Sequence, residues 1–296
     1  MIRKSYICLN DDENYEAKQI EVNYDLRVDE GLRERIHEEN IAVHRFEAKY
    51  YELLHPEVFG KSEQKRISST LVLVDSLISG NQKRALDFGA GTGNLTGKLL
   101  RMGYTVTAID ISAEMCAILE KKYRTYAEAK QLIVINSSIE NMSFERDEFD
   151  LITCYSVLHH LPDYADVIQR LAEFLKKGGV LYLDHEASPF YWKDESTNIA
   201  NLVKQIYFHS NPALNTLYFQ ITRVKLPSID YALADYWHKK EHPLDHGKIE
   251  SVFEKENFEF FARVDYYLKG TWVLNPFFYI YMRVCKPETC FWVAKK

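Results

Sequence analysis

The residues whose types and spacing could do chemistry fall at four places in the chain. Asp87 and the glycines Gly89, Gly91 and Gly93 follow one short apolar run, and Asp110 ends a second. His159 and His160 stand together after a third run, and His185 with Glu186 after a fourth. Glycine tolerates positive φ and has no Cβ to hold a ligand away. A helix that starts beside such a turn adds unpaired N–H groups and the positive end of its dipole. A carboxylate at a strand end can accept hydrogen bonds from ligand hydroxyls or face a cation, and a histidine there can take or give a proton near neutral pH. Each feature also has a plainer reading: glycine for tight packing, Asp110 as a helix N-cap, the histidines as partners for backbone groups. Ser112 is itself a good cap, which leaves Asp110 free for a ligand.

The elements that must position these residues follow from the apolar patterning. Ala85, Leu86 and Phe88 suit a strand buried on both faces, and Leu95, Leu99 and Leu100 begin a helical repeat, so the glycines occupy a strand-to-helix turn. With a second strand over 105–109 ending at Asp110, this is a βαβ unit. Further strands are expected over 131–135, 149–154, 180–184, 258–264 and 291–294, and helices over 113–126, 164–175 and 248–257. Two helices, 32–54 and 62–78, precede the first strand and are stopped by Pro56 and Gly80. Residues 1–30 suit a hairpin or a loosely attached arm, and the irregular, aromatic stretch to about residue 246 reads as a cap.

Spacing separates two ligand classes that use such a turn. A dinucleotide fold wants G-x-G-x-x-G, but the position where its third glycine belongs is Asn94, and Asp87 stands where nicotinamide folds carry an apolar residue. The run Leu86-Asp87-Phe88-Gly89-Ala90-Gly91-Thr92-Gly93 instead resembles motif I of the class I S-adenosylmethionine-dependent methyltransferases. The stretches Leu158-His159-His160-Leu161-Pro162-Asp163 and Lys176-Lys177-Gly178-Gly179 are similar to the L-H-H-L-x-D and K-x-G-G features of small-molecule members, and Ala48-Lys49-Tyr50-Tyr51-Glu52 to a leading-helix A-x-x-Y-[DE] stretch. The resemblance covers residues 46–186 by motif and 247–296 by pattern.

It implies a Rossmann-like, seven-stranded, mostly parallel α/β sheet with helices on both faces. The expected divisions are an arm and helix over 1–45, a cofactor-binding core over 46–186, a substrate cap over 187–246, and the rest of the sheet over 247–296. It further implies S-adenosyl-L-methionine as cofactor. Asp87 then suits the cationic methionine end, Asp110 the ribose, and Tyr51 closes over the site. Gly89, Ala90, Gly91, Thr92 and Asn94 form the turn, with Ile111, Met115, Ile139, Cys154 and Tyr155 around it. Ser138 replaces the usual acid at the adenine position. His159, His160 and His185 are the candidate bases.

With 296 residues and 46% apolar content the chain can bury one large core or two modest ones, and it reads as one α/β domain with an added substrate-covering region. The formal charge of −6 disfavours a nucleic-acid polymer as substrate. The scattered cysteines Cys8, Cys116, Cys154, Cys285 and Cys290 suggest neither a disulfide framework nor a zinc knuckle, and read as reduced thiols in a cytosol. No signal peptide or membrane-spanning segment is expected, since the most apolar stretch, 277–285, is short and contains Arg283. His238, His242 and His246 recur every four residues, but Pro243 interrupts any helix that would carry all three, so no metal is expected. The end of the 149–154 strand lacks the [DN]-P-P-[YF] run of enzymes that methylate planar amines or amides. The expected function is methyl transfer to an oxygen, nitrogen or carbon of a small molecule, with homodimerisation left open. The rivals are a nicotinamide-dependent oxidoreductase and a non-catalytic protein that keeps the fold.

Overall fold

Alternation along the strands decides the architecture. In a pleated strand successive side chains point to opposite faces. Here Leu86, Phe88, Ile152, Cys154, Leu181 and Leu183 enter one core, while Ala85, Val106, Ala108, Leu151, Val180 and Tyr182 enter the other. Strands apolar on both faces need helices on both sides of the sheet. A computed structural model of the chain describes residues 3–8, 28–80, 82–142, 144–192, 230–267 and 287–296.

Among the described residues the strands are β1 (Arg3–Cys8), β2 (Arg84–Phe88), β3 (Thr105–Asp110), β4 (Leu132–Asn136), β5 (Phe149–Tyr155), β6 (Leu175–Ala187), β7 (Phe260–Tyr266) and β8 (Thr289–Lys295). They form one sheet in the order β1-β7-β8-β6-β5-β2-β3-β4. β8 runs antiparallel between β6 and β7, and the other pairings are parallel. The seven expected strands are β2 to β8. The eighth, β1, comes from the arm and adds to the outer edge beside β7, with Arg3 opposite Phe260 and Cys8 opposite Asp265.

Among the described residues the α-helices are α1 (Glu30–Glu47), α2 (Tyr51–Leu54), α3 (Pro56–Phe59), α4 (Lys61–Leu77), α5 (Thr96–Arg101), α6 (Ala113–Lys122), α7 (Arg124–Glu128), α8 (Tyr164–Phe174), α9 (Tyr231–Ala234) and α10 (His246–Lys255). α8 and α10 cover one face through Ile168, Leu171, Ile249 and Phe253, and α4 covers the other through Ile67, Leu71 and Val74. α1 packs against α9.

Three expected elements differ. The helix expected over 32–54 is interrupted after Glu47 by a 3-10 turn over Ala48–Tyr50 and resumes as α2, and Pro56, expected to stop it, opens α3. The single helix expected over 113–126 breaks into α6 and α7 at Tyr123, whose backbone leaves the helical region while its hydroxyl donates to the Gly93 carbonyl at 3.0 Å. β6 begins earlier than expected, its Lys-Gly-Gly stretch being part of the strand with Gly178 at φ 77°. Most of the expected cap, with Tyr207 and Tyr218, most of the arm, and the 277–285 stretch lie outside the described residues. Among the described residues no helix is long and apolar enough to cross a membrane.

Candidate functional site

The three alternate glycines all take positive φ, 69° at Gly89, 52° at Gly91 and 87° at Gly93, but for different reasons. A Cβ on Gly89 would sit inside the Val157 side chain, and one on Gly93 would meet Tyr123 and Leu119, so packing keeps these two small. A Cβ on Gly91 would meet no atom within 4 Å. The middle glycine alone therefore faces open space.

Asp110 fixes this turn. Its Oδ2 accepts from the Gly91 N–H at 2.8 Å and its Oδ1 from the Ser112 N–H at 2.9 Å, tying the glycine turn to the end of β3. Ser112 is the cap of α6, its hydroxyl accepting from the Met115 N–H at 3.3 Å. Burial raises the Asp110 carboxyl above its ordinary range, and the two backbone donors together with His44 pull against it. Each carboxylate oxygen keeps acceptor capacity beyond its one backbone bond.

Asp87 lies one layer deeper and is 1% exposed. It accepts from the Thr96 hydroxyl at 2.5 Å and the Thr153 hydroxyl at 2.8 Å. Burial pushes its pKa up to about 6 despite those bonds. A cleft above it is lined by Asp87, Gly91, Thr92, Asn94, Tyr51 and Tyr155. The Asn94 Oδ1 accepts from Gln64, whereas its buried Nδ2 has no partner. The leading helices close one side. Tyr51 lines the cleft while Tyr50 is 47% exposed, and Thr92 donates to Glu52, which pairs with Lys122 at 2.6 Å.

The three candidate histidines stand in different surroundings. Nδ1 of His159 lies 2.8 Å from Oε2 of Glu186, whose Oε1 accepts from the Val157 and Leu158 N–H groups at 3.0 and 2.8 Å. Burial works to lower the His159 pKa, but the Glu186 carboxylate outweighs it and the net shift is upward. Nδ1 of His160 donates to the Ala234 carbonyl at 3.0 Å, and burial among His159 and His44 lowers its pKa well below the ordinary value. His185 is stacked on Tyr155 with centroids 4.9 Å apart, and burial lowers its pKa too. His159, His160 and Asp235 each bring one ligand atom within 4.8 Å of the others, a group that could hold a metal ion, although both Nδ1 atoms are already engaged. His238, His242 and His246 do not converge: His238 packs on Tyr191 and Trp192, His242 stacks on Tyr236, and His246 stacks on Trp292.

The remaining expected residues surround the turn less directly. Met115 is fully buried and Cys154 is 1% exposed, both in the core. Ile111 accepts from the Asn136 side chain through its carbonyl, Ile139 is buried, and the Ser138 hydroxyl accepts from Asn141 at 3.2 Å. Ala90 is buried, its N–H bonded to the Ile109 carbonyl at 2.9 Å.

Sequence reasoning missed a second buried polar group behind Tyr155. Arg66 from α4 holds Glu63 through Nε at 2.9 Å and reaches Asp184 at 2.8 Å, and Asp184 also accepts from Tyr182 and Tyr266. It also missed Asn40, whose amide donates to the Ile36 and Ala234 carbonyls at 2.9 and 3.2 Å and so ties α1 to α9. The available signal was a polar residue inside an apolar helical stripe: Glu63 precedes Ile67, Leu71 and Val74, and Asn40 stands between Ile36 and Val43.

The stretch that carries the turn and its acid is similar to known proteins. Residues 86–183 match the family described as methyltransferase domain. A ubiquinone biosynthesis O-methyltransferase of Xanthomonas campestris pv. campestris is 35% identical over 101 residues, which are 34% of this chain and 41% of that relative. A homologue of the same name from Xanthomonas euvesicatoria pv. vesicatoria gives the same figures. The match thus spans about two fifths of the length of these curated relatives. The crystal structure of a SAM-dependent methyltransferase from Archaeoglobus fulgidus superposes with a TM-score of 0.52 at 16% identity, covering 83% of this chain and all of that one, a likeness of fold. Over residues 86–183 the chain is thus similar to methyltransferases in sequence, and it shares the fold of a SAM-dependent methyltransferase.

Proposed function

We propose that the chain transfers a methyl group from S-adenosylmethionine to an oxygen, nitrogen or carbon atom of a small molecule. The observation that carries this reading is the pairing of Asp110 with the Gly91 N–H beside a glycine whose missing side chain leaves open space. The residues present fit the cofactor on three further counts. Asp87 is a buried carboxylate with hydroxyl donors but no cation among its bonded partners, which suits an ammonium group. Asn94 offers a buried unpartnered donor on the same cleft, which suits a carboxylate. Asp110 retains acceptor capacity at the strand end, which suits a ribose diol.

When bound, the sulfonium supplies an already activated methyl group. The protein's part is to align the acceptor with it, exclude water, and remove a proton where the acceptor holds one. Tyr51 and the leading helices supply the exclusion on one side, and the histidines at the ends of β5 and β6 are the groups available for the proton. A −6 formal charge supports a small acceptor over a nucleic acid, and the buried free thiols Cys116, Cys154 and Cys290 support a cytosolic setting.

Calorimetry of the purified chain against S-adenosylhomocysteine and NAD tests the cofactor. Micromolar or tighter binding of the former with none of the latter is expected. Binding of NAD in preference would overturn the reading.

A further inference from the structure

The end of β6 carries an irregularity that places one side chain. On the β8 side the register runs from Asp184 opposite Phe291 directly to Glu186 opposite Cys290, so His185 is an extra residue in a bulge. Its φ is +63°, the left-handed region that non-glycine residues avoid. Bulges and such backbone conformations persist where the surrounding structure imposes them, and their effect is to re-aim a side chain. The ring re-aimed here stacks on Tyr155, which lines the cofactor cleft.

Hydrogen bonding fixes which nitrogen carries the proton. Both carboxylate oxygens of Glu63 accept from Arg66, at 2.9 and 2.5 Å, so Glu63 offers only acceptors to Tyr155. The Tyr155 hydroxyl must therefore donate to Glu63 Oε1, 3.1 Å away. Its oxygen is left to accept from Nδ1 of His185 at 3.0 Å. With Nδ1 protonated, Nε2 of the neutral ring carries a lone pair, and that atom has no partner among the described residues.

The other two histidines are less suited. The ring of His159, bonded through Nδ1 to Glu186, packs on His160 and His238 and makes no ring contact with a cleft-lining side chain among the described residues. His160 is enclosed by His44 and His159, with centroids 5.2 and 4.0 Å away. It makes no ring contact with a cleft-lining side chain among the described residues.

We propose that His185 is the base that accepts the proton of a hydroxyl-bearing methyl acceptor through Nε2, with Tyr155 and Glu63 as positioning residues that lock its tautomer. This rests on the methyltransferase reading and names the acceptor class within it. The acceptor O–H proton passes to Nε2 as the oxygen–methyl bond forms. The carbon–sulfur bond breaks with its electron pair kept on sulfur, and the imidazolium later releases the proton to water. A carboxylate or thiolate acceptor would need no base, whereas a phenol or enol holds its proton at neutral pH. The charged groups around His185 are Glu57, Glu63 and Asp184, which favour its protonation, and Arg66, which opposes it, with His238 beyond; burial outweighs them and keeps the ring neutral.

Long-range nitrogen–proton spectra of the full chain labelled with [15N]histidine test the tautomer. His185→Gly, which suits a positive φ, assigns the signal. At pH 7 the expected result is a neutral ring protonated at Nδ1. In Glu63→Gln the amide can donate to Tyr155, whose hydroxyl then turns to His185 and moves the proton to Nε2. A wild-type ring protonated at Nε2, or one unaffected by Glu63→Gln, overturns the relay. In the kinetic arm, catechol, 3,4-dihydroxybenzoate and the corresponding anilines are offered with S-adenosylmethionine. His185→Gly should lower kcat on the phenols by about 100-fold, with added imidazole restoring at least tenfold and the Kd for S-adenosylhomocysteine within threefold of wild type. Undiminished turnover in the variant removes His185 as the base. Methylation of anilines alone, or of no phenol, overturns the hydroxyl class. Loss of S-adenosylhomocysteine binding in the wild type would instead sink the methyltransferase reading beneath it.

Discussion

Replacing Asp87 by asparagine should stabilise the free protein at pH 8 and weaken it as a binder. The wild-type carboxyl is 1% exposed and its pKa is pushed from 3.8 to about 6, with burial the largest cause. A folded-state pKa above the unfolded value means that the folded protein holds the proton more tightly. That contribution is fully present below pH 3.8 and is lost as pH rises through about 6. At 1.36 kcal/mol per pH unit the gap corresponds to about 3 kcal/mol. An asparagine keeps the shape, can accept from one of the two threonine hydroxyls and donate to the other, and carries no charge to desolvate. Urea unfolding at pH 4 and pH 8 should show wild type and variant alike at the lower pH and the variant ahead by about 1–3 kcal/mol at the higher. The same carboxyl reports on binding. A ligand ammonium placed against it lowers its pKa, so S-adenosylhomocysteine binding near pH 6 should release up to about half a proton, measured by calorimetry in buffers of different ionisation heat. Release should vanish in Asp87→Asn. A variant less stable than wild type at pH 8, or a proton release unchanged by the substitution, would refute the reasoning.

Other outcomes follow from the same site. Gly89→Ala should lower stability by about 1–3 kcal/mol, because its Cβ meets Val157 at a positive φ, as read by thermal or denaturant unfolding. Gly91→Val meets no atom, so beyond the backbone strain of a side chain at φ 52°, about 1–2 kcal/mol, it should weaken S-adenosylhomocysteine binding by tenfold or more in calorimetry. Asp110→Ala loses the anchor of the Gly91 and Ser112 N–H groups as well as the ligand's acceptor, and should weaken binding by about 2–4 kcal/mol with the chain still folded by circular dichroism.

What could be read from the sequence was what depends on neighbours in the chain. The glycine spacing, Asp110, the Ser112 cap and the strand alternation are local signals, and they located the turn and the sheet that carries it. Roles set by distant contacts were hidden. Nothing near Arg3–Cys8 shows that it pairs with Phe260–Tyr266 at the other end of the chain. His185 looked like one of three equivalent bases until the bulge opposite Phe291 and Cys290 and the bonds from Tyr155 to Glu63 separated it from His159 and His160. The three glycines looked alike as well, although Val157, Tyr123 and Leu119 make two of them packing glycines and leave Gly91 facing open space. Glu63 and Asn40 could have been flagged as polar residues on apolar helix faces, but their partners could not be named without the fold.

Incubating the chain with S-adenosylmethionine labelled on the methyl group and a small-molecule extract tests the central claim most directly. The account predicts label in a small-molecule product together with an equal amount of S-adenosylhomocysteine, both lost in Asp110→Ala. Bound S-adenosylmethionine whose label never leaves it, across extracts that contain phenols, amines and carbon acids, would contradict the claim and leave a protein that keeps the fold without the transfer.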